Sequence, residues 1–198
     1  KAIGQEATGP VKSGGLTRAA IALIGGGAVL CILALLAGDG PDRFGFAYLW
    51  GFAFVWAIVV GSLFFVALQH ITHSVWSVVI RRVAEMFAAP MWVLALFFVP
   101  VVLFAVFYDR FSLFPWMDPA VVEGDHILEG KQPYLNLTFF AIRAAVFFLC
   151  WIGFTRFFVR QSIAQDGNAG TVDTAGARRT LLMRKVSAPC MLVFALTV

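Results

Sequence analysis

The sequence is poor in charged residues. Asp, Glu, Lys and Arg make up 13% of its 198 residues, whereas a soluble domain holds roughly 25%. In their place, 61% of the residues are hydrophobic and the mean hydropathy is +0.87. A composition this apolar excludes an ordinary soluble domain and indicates an all-α integral membrane protein.

Histidine and cysteine are also scarce. The chain has three histidines, His70, His73 and His126, and three cysteines. A bis-histidine haem needs two histidines at the same depth on facing helices, but His70 and His73 share one turn and His126 lies on the other side of the membrane. The cysteines lie in or beside apolar runs, which suits neither a disulfide framework nor a zinc site. We therefore expect this chain to bind no haem and no metal.

Long apolar runs set the expected architecture. Runs at 19–37, 44–68, 86–108 and 137–158 predict transmembrane helices, because about 20 apolar residues cross ~30 Å of hydrocarbon. A fifth run, 186–198, is still apolar at the last residue, so we expect the sequence to be the N-terminal part of a longer protein. The predicted organisation is a cytoplasmic tail at 1–18, a four-helix bundle at 19–160, a cytoplasmic loop at 161–185 and the start of a fifth helix at 186–198.

The distribution of Lys and Arg predicts the orientation, since cytoplasmic connections carry an excess of them. The N-terminal tail and the second and fourth connections are basic, whereas the third connection is mostly acidic. The basic residues on the predicted cytoplasmic side are Lys1, Lys12, Arg18, Arg81, Arg82, Arg160, Arg178, Arg179, Arg184 and Lys185. The N-terminus is therefore expected to be cytoplasmic.

A polar cluster at 69–85 separates the second and third apolar runs. It contains His70, His73, Arg81, Arg82 and Glu85. If a helix begins near residue 74 and runs to 108, with kinks at its two prolines, Arg81 and Glu85 lie four residues apart on one face and can pair. One interpretation is an ion-paired helix start at the cytoplasmic surface, which we favour. The other is a proton path, with His70, His73, Arg81 and Glu85 as candidates, because histidine titrates near neutral pH.

A second polar set precedes and enters the fourth apolar run. Its members are Asp125, His126, Glu129, Lys131, Tyr134, Asn136 and Arg143. Arg143 lies about two turns inside the run, roughly 10 Å below its start. A cation at that depth either pairs with a carboxylate, for which Asp109, Asp125 and Glu129 are candidates, or extends to the outer surface. These residues are the candidates for an outer polar pocket, next to a short surface helix predicted between Asp118 and Gly130.

Several of these segments resemble the quinone-family F subunit, or quinone-binding subunit 2, of bacterial alternative complex III, a quinol:electron-acceptor oxidoreductase. The resemblance covers most of the chain from about residue 45 and is specific in aggregate rather than at one motif. The residues that carry it are Gln69-His70-Ile71-Thr72, Trp76-Ser77, Ile80-Arg81-Arg82-Val83-Ala84-Glu85, Lys131, Tyr134-Leu135-Asn136, Phe139-Phe140, Arg143, Arg184-Lys185-Val186-Ser187-Ala188-Pro189 and Phe194-Ala195-Leu196-Thr197.

The resemblance implies a subunit of about ten helices in two four-helix bundles in the bacterial inner membrane. Its implied partners are a polysulfide-reductase-type C subunit, which would oxidise menaquinol or ubiquinol, and subunits that hold iron–sulfur clusters and haem c. The F subunit would supply structural support and a proton path without a redox centre of its own. The alternatives are direct quinone binding in an aromatic-rich cleft near His126, a free-standing transporter or channel, and a purely structural scaffold.

Overall fold

The computed structural model describes residues 14–37, 41–74, 78–107, 114–117, 119–123, 126–166 and 174–198. Every regular element among them is a helix. The helices are α1 (Gly14–Ala37), α2 (Pro41–Ile71), α3 (Val78–Ala88), α4 (Met91–Phe107), a 3₁₀ turn (Pro115–Met117), α5 (Pro119–Val122), α6 (His126–Lys131), α7 (Leu137–Asp166) and α8 (Thr174–Thr197).

Five segments are long and apolar enough to cross a membrane. They are Thr17–Ala34, Arg43–Ile71, Ile80–Val106, Leu137–Gln165 and Gly176–Thr197. The expectation of an all-α, multi-pass membrane protein is therefore confirmed. Residues 1–46 and 47–198 form two separate compact units. In the first unit, the described side chains of α1 are exposed along the whole helix.

The hydrophobic core of the second unit lies between α2, α3, α4, α7 and α8. Phe98 of α4 is one of its centres, because its ring lies 5.5 Å from Phe52 of α2 and 5.2 Å from Phe148 of α7. A second centre is Trp151 of α7, whose ring lies 6.0 Å from that of Trp56. Since lipid tails are as apolar as these side chains, such packing stabilises the bundle by close contact rather than by removal from water.

The third membrane-crossing segment is interrupted near one of its prolines. α3 ends at Ala88 and α4 begins at Met91, with a turn at Ala89 and Pro90 between them. Proline has no backbone N–H and its ring clashes with the preceding turn, which explains the interruption. By contrast, Pro100 lies inside α4 without ending it. The expected kink is thus present at Pro90 as a break between two helices.

α7 and α8 extend further into the expected cytoplasmic loop than the apolar runs indicate. α7 continues to Asp166 and α8 begins at Thr174, so only 167–173 lies between them. Polar residues at these ends continue the helices, because a helix that projects beyond the hydrocarbon is hydrated by water. α8 also belongs to the core, since Met183, Ser187 and Cys190 are buried in it.

Candidate functional site

The candidate site lies at the end of the second unit that carries Arg81, Arg82, Arg160, Arg179, Arg184 and Lys185, which we call the basic end. α2 reaches it in its last turn. The buried residues Leu63, Val66 and Ala67 precede His70 at helical spacing, so this face of α2 carries Gln69 and His70 into the bundle. Gln69 is 7% exposed and His70 is 3% exposed.

The His70 ring stacks on Phe158 of α7. The two ring centroids are 5.4 Å apart and the planes differ by 8°. Nε2 of His70 is buried and has no hydrogen-bond partner. Burying an imidazole nitrogen without a hydrogen-bond partner lowers the stability of the fold. This atom is therefore a candidate to bind a water molecule or to take up a proton.

The turn after α2 separates the two neighbouring histidines. The Ser74 amide donates to the Gln69 carbonyl at 3.2 Å, and the Thr72 hydroxyl donates to the Leu68 carbonyl at 2.9 Å. His73 lies in this turn with φ of 55° and is exposed. The chain thus reverses direction at His73, which leaves His70 inside the bundle and His73 on its surface.

Glu85 of α3 is the centre of the polar cluster. It is 5% exposed, and its Oε2 accepts a 2.5 Å hydrogen bond from the Ser162 hydroxyl of α7. Arg82 Nη1 donates to the same Ser162 hydroxyl at 2.8 Å and lies 3.4 Å from Glu85 Oε2. Arg81 Nε lies 3.6 Å from the other carboxylate oxygen, Oε1. The carboxylate is therefore held by two cations and one hydroxyl.

The pairing of Arg81 with Glu85, expected from their spacing, is present. The contributions of Arg82 and Ser162 were not expected. The sequence carries a signal for Ser162, because Thr155, Phe158 and Ser162 recur at intervals of three and four on α7. Polar residues at such positions of a transmembrane helix face the bundle.

A narrow void lies beside Glu85. It has an empty volume of about 160 Å³, admits no water molecule, and is lined by Leu63, Val66, Glu85, Ala88, Thr155, Phe158 and Val159. Phe158 thus contacts His70 on one side and borders the same void as Glu85. Thr155 Oγ1 and Glu85 Oε1 are both buried without a hydrogen bond. Oε1 keeps only its ion pair with Arg81, so these two oxygens mark where a water molecule would bind if the helices moved apart.

α8 joins the basic end through the last turns of α7. Gln165 Nε2 donates to Thr180 Oγ1 at 3.0 Å and to the Gly176 carbonyl at 3.3 Å. Arg179 Nη1 donates to the Ala164 carbonyl. These bonds fix the two helices on either side of 167–173 and hold α7 where Ser162 reaches Glu85.

The outer candidates do not converge on one polar centre in the described part of the chain. His126, Glu129 and Lys131 are exposed on α6, and Asp125 lies outside the described residues. Asn136 caps α7, because its Oδ1 accepts from the Phe139 amide at 2.7 Å while its Nδ2 donates to the Pro133 carbonyl at 2.9 Å.

Among the described residues Arg143 contacts aromatic rings, whereas two of its candidate partners, Asp109 and Asp125, lie outside them. Its guanidinium carbon lies 4.3 Å from the centroid of the Tyr134 ring and 5.6 Å from that of Phe139. Both distances are within the range of cation–π attraction. Nη1 of Arg143 is buried without a hydrogen bond. Aromatic stacking accounts for a cation at this depth among the described residues.

Two open clefts lie away from the polar cluster. One, of about 400 Å³ between α2 and α3, is lined by Ala57, Ile58, Gly61, Ser62, Phe65, Ile80, Val83, Ala84 and Phe87. The other, of about 390 Å³ near the start of α7, is lined by Ala105, Val106, Trp116, Met117, Val122, Gln132, Leu135, Asn136 and Leu137. In the first cleft Ser62 is the sole polar residue, and its hydroxyl donates to the Ile58 carbonyl at 2.7 Å. That cleft therefore suits a hydrocarbon chain better than a polar ring.

Within the described residues, no three His, Cys, Asp or Glu side chains are grouped so that they could hold a metal ion. No protein-family model matches the chain. No curated protein matches it significantly either. The function is therefore argued from the buried polar cluster and from the sequence resemblance.

Proposed function

We propose that this chain is the F-type membrane subunit of a bacterial quinol:electron-acceptor oxidoreductase of the alternative complex III type. In this role it supports the complex in the inner membrane and conducts protons between the basic end and the interior. It has no redox centre of its own; its partners would be the quinol-oxidising C subunit and the subunits that hold iron–sulfur clusters and haem c.

The observation that carries the proposal is the burial of the Glu85 carboxylate. An ionisable group in a transmembrane bundle is costly, and such groups mark ion paths more often than they stabilise a fold. Three segments that carry the resemblance also supply buried polar residues: 69–72 supplies His70, 80–85 supplies Glu85, and 184–189 supplies Ser187. The resemblance and the buried polar groups thus fall on the same positions.

The cluster has the parts that proton transfer needs. His70 supplies an imidazole at the inner end of α2, and a ring nitrogen can accept and donate a proton. Glu85 accepts it, and the Ser162 hydroxyl beside Oε2 can donate and accept in turn. When Glu85 is protonated its pairs with Arg81 and Arg82 weaken, but Arg82 keeps its bond to Ser162. The transfer from His70 to Glu85 requires the helices to move apart far enough to admit water to the void that Phe158 and Thr155 border.

The proposal is tested in the intact complex, reconstituted in proteoliposomes. His70→Phe and Glu85→Gln should keep quinol oxidation but reduce the number of protons moved per electron. Glu129→Gln is the matched control, because Glu129 is exposed on α6. Unchanged proton movement in both variants would refute the proton role. Failure of a tagged chain to co-purify with haem c and iron–sulfur subunits would refute the membership of the complex.

A second candidate function is direct quinone binding, favoured by the apolar cleft between α2 and α3. The cleft offers a quinone tail about 400 Å³ of hydrocarbon-lined space, with Ser62 as its one polar lining residue. A photoactivatable quinone that labels peptides 57–65 or 80–87 would support this function. Labelling confined to a neighbouring subunit would exclude it.

A free-standing transporter is less well supported. Inverted repeats with paired broken helices are typical of that class. The break at Ala89 and Pro90 has no counterpart in α2 or α7, which are continuous over 31 and 30 residues.

A further inference from the structure

The membrane-facing side of α7 carries two arginines among apolar residues. The exposed positions of α7 recur at helical spacing and include Ile142, Val146, Leu149, Gly153, Arg156, Arg160 and Ile163. The apolar members of this stripe are from 49% to 69% exposed, as expected for side chains that face lipid. Arg156 and Arg160 are one turn apart on the same stripe, so both project away from the bundle.

The depth of the two arginines matches a lipid headgroup region. Each residue of a helix advances the axis by about 1.5 Å, so Arg156 lies about 28 Å and Arg160 about 34 Å along α7 from Leu137. The hydrocarbon layer is roughly 30 Å thick. If α7 enters the hydrocarbon near Leu137, where its apolar segment begins, the two guanidinium groups lie at the opposite hydrocarbon boundary.

α8 brings a third cation to the same level. Gln165 bonds to Thr180 and Trp151 Nε1 donates to Thr197 Oγ1, both at 3.0 Å, so the two helices run antiparallel in fixed register. In this register, position 160 of α7 lies level with about position 185 of α8. Lys185 is exposed there.

Among the described side chains, no carboxylate pairs with these three cations. The ion pairs among the described side chains are those of Arg81 and Arg82 with Glu85. Arg156 and Arg160 thus place two guanidinium groups at the edge of the hydrocarbon without a described carboxylate beside them. The anion that is abundant at this depth is the phosphate of a lipid headgroup.

We propose that Arg156, Arg160 and Lys185 bind the phosphodiester headgroup of an anionic phospholipid in the leaflet at the basic end. Guanidinium groups suit this ligand because they donate two parallel hydrogen bonds to phosphate oxygens. The acyl chains lie along the exposed stripe toward Leu149 and Val146. At Gly153 a side-chain carbon would meet nothing within 4 Å, which leaves open space for a chain.

A lipid fits this surface better than a neighbouring protein does. The cations are confined to the level of the headgroups, and the rest of the described stripe toward Ile142 is apolar. The basic end is also the side that the Lys and Arg distribution predicts to be cytoplasmic, where anionic lipids attract basic residues. The proposal is independent of the role in quinol oxidation, since it uses no residue of the Glu85 cluster.

The test is native mass spectrometry of the detergent-solubilised chain during titration with phosphatidylglycerol, cardiolipin or phosphatidylethanolamine. The wild type is compared with the Arg156→Gln/Arg160→Gln double variant and with Lys185→Gln. Arg178→Gln is the matched control, because it removes the same charge from an exposed position of α8 about 10 Å beyond Lys185. Circular dichroism and gel filtration establish that each variant is folded and monodisperse.

The wild type should bind phosphatidylglycerol or cardiolipin more tightly than phosphatidylethanolamine. Each basic residue near an anionic surface contributes about a fivefold gain in affinity, so the double variant should bind roughly 25-fold more weakly. Arg178→Gln should bind as the wild type does. A stronger preference for cardiolipin than for phosphatidylglycerol would indicate that two phosphates are bound.

Two results would overturn the proposal. One is equal affinity for anionic and zwitterionic lipids in the wild type. The other is anionic lipid binding that survives in the double variant or falls equally in Arg178→Gln, since the loss would then follow net charge rather than the site.

Discussion

Ser162 of α7 donates a 2.5 Å hydrogen bond to the carboxylate of Glu85 on α3, across 77 residues of sequence. Both side chains are buried, at 2% and 5% exposure. This bond, together with Arg82, joins two helices at the basic end where apolar packing alone would leave their polar groups unpaired.

Glu85→Gln should lower the free energy of unfolding by about 2–3 kcal/mol, because the hydrogen bonds that Ser162 and Arg82 donate lose the assistance of the carboxylate charge. Unfolding of the detergent-solubilised chain by denaturant, followed by circular dichroism, measures the change. Glu129→Gln should alter it by less than about 0.5 kcal/mol, because that side chain is exposed. Equal stability of the two variants would show that the Glu85 bonds contribute nothing.

Removing the buried Ser162 hydroxyl of α7 should lower the free energy of unfolding, whereas removing the buried Thr155 hydroxyl should not. Ser162→Ala removes a bonded hydroxyl and should cost about 1–2 kcal/mol. Thr155→Val removes a hydroxyl that has no partner, so it should be neutral or stabilising by up to about 1 kcal/mol. Thermal unfolding of both variants under one condition makes the comparison. A destabilised Thr155→Val would reveal that a water molecule binds Thr155 in the void.

The stacking of His70 on Phe158 predicts that ring shape matters more than polarity for folding. His70→Phe keeps an aromatic ring of similar size and should retain the stability of the wild type within about 1 kcal/mol. His70→Ala leaves a cavity and should cost about 2–3 kcal/mol. If both variants were equally destabilised, the imidazole nitrogens would be needed for the fold, which contradicts the unpartnered Nε2.

Arg143→Lys keeps the charge but loses the flat face that lies over Tyr134, so it should cost about 0.5–1 kcal/mol. Tyr134→Phe should have almost no effect, since it preserves the ring. Tyr134→Leu should lower the free energy of unfolding by about the same amount as Arg143→Lys. A double variant of Arg143→Lys and Tyr134→Leu that costs the sum of the two would show that the residues do not interact.

Gly61 lies inside α2, where a side-chain carbon would meet nothing within 4 Å. Gly61→Ala should therefore stabilise the protein by about 0.5–1 kcal/mol, because alanine loses less backbone entropy on forming a helix. Ala57→Gly, on the same cleft, should lower the free energy of unfolding. A destabilised Gly61→Ala would mean that the cleft is filled by something that touches Gly61.

The sequence predicts the membrane helices well because a long apolar run marks each of them. Apolar runs of about 20 residues have one stable form in lipid, and the Arg81–Glu85 pair follows from helical spacing alone. The break at Pro90 follows from the missing N–H of proline. These features depend on local chemistry, so local patterns are sufficient to find them.

Features that depend on how helices meet were missed or left open. Ser162 reaches Glu85 because α7 and α3 pack together; the spacing of Thr155 and Ser162 indicates that Ser162 faces the bundle but not which helix it meets. His70 and His73 look equivalent in the sequence, but a left-handed residue in the turn places one inside and the other outside. Arg143 had several candidate carboxylates, and the contact found is with Tyr134, which precedes it by a little over two turns.

Glu85 meets its arginine partners and its serine partner at different times during synthesis. Arg81 and Arg82 are within one turn, so they neutralise the carboxylate as soon as α3 forms. Ser162 is translated 77 residues later, which at 5–20 residues per second is about 4–15 s. During that interval the nascent α3 enters the membrane with its carboxylate already paired by its own arginines. The local ion pairs thus lower the cost of insertion, and the bond to Ser162 fixes the helix in place after α7 has followed it into the membrane.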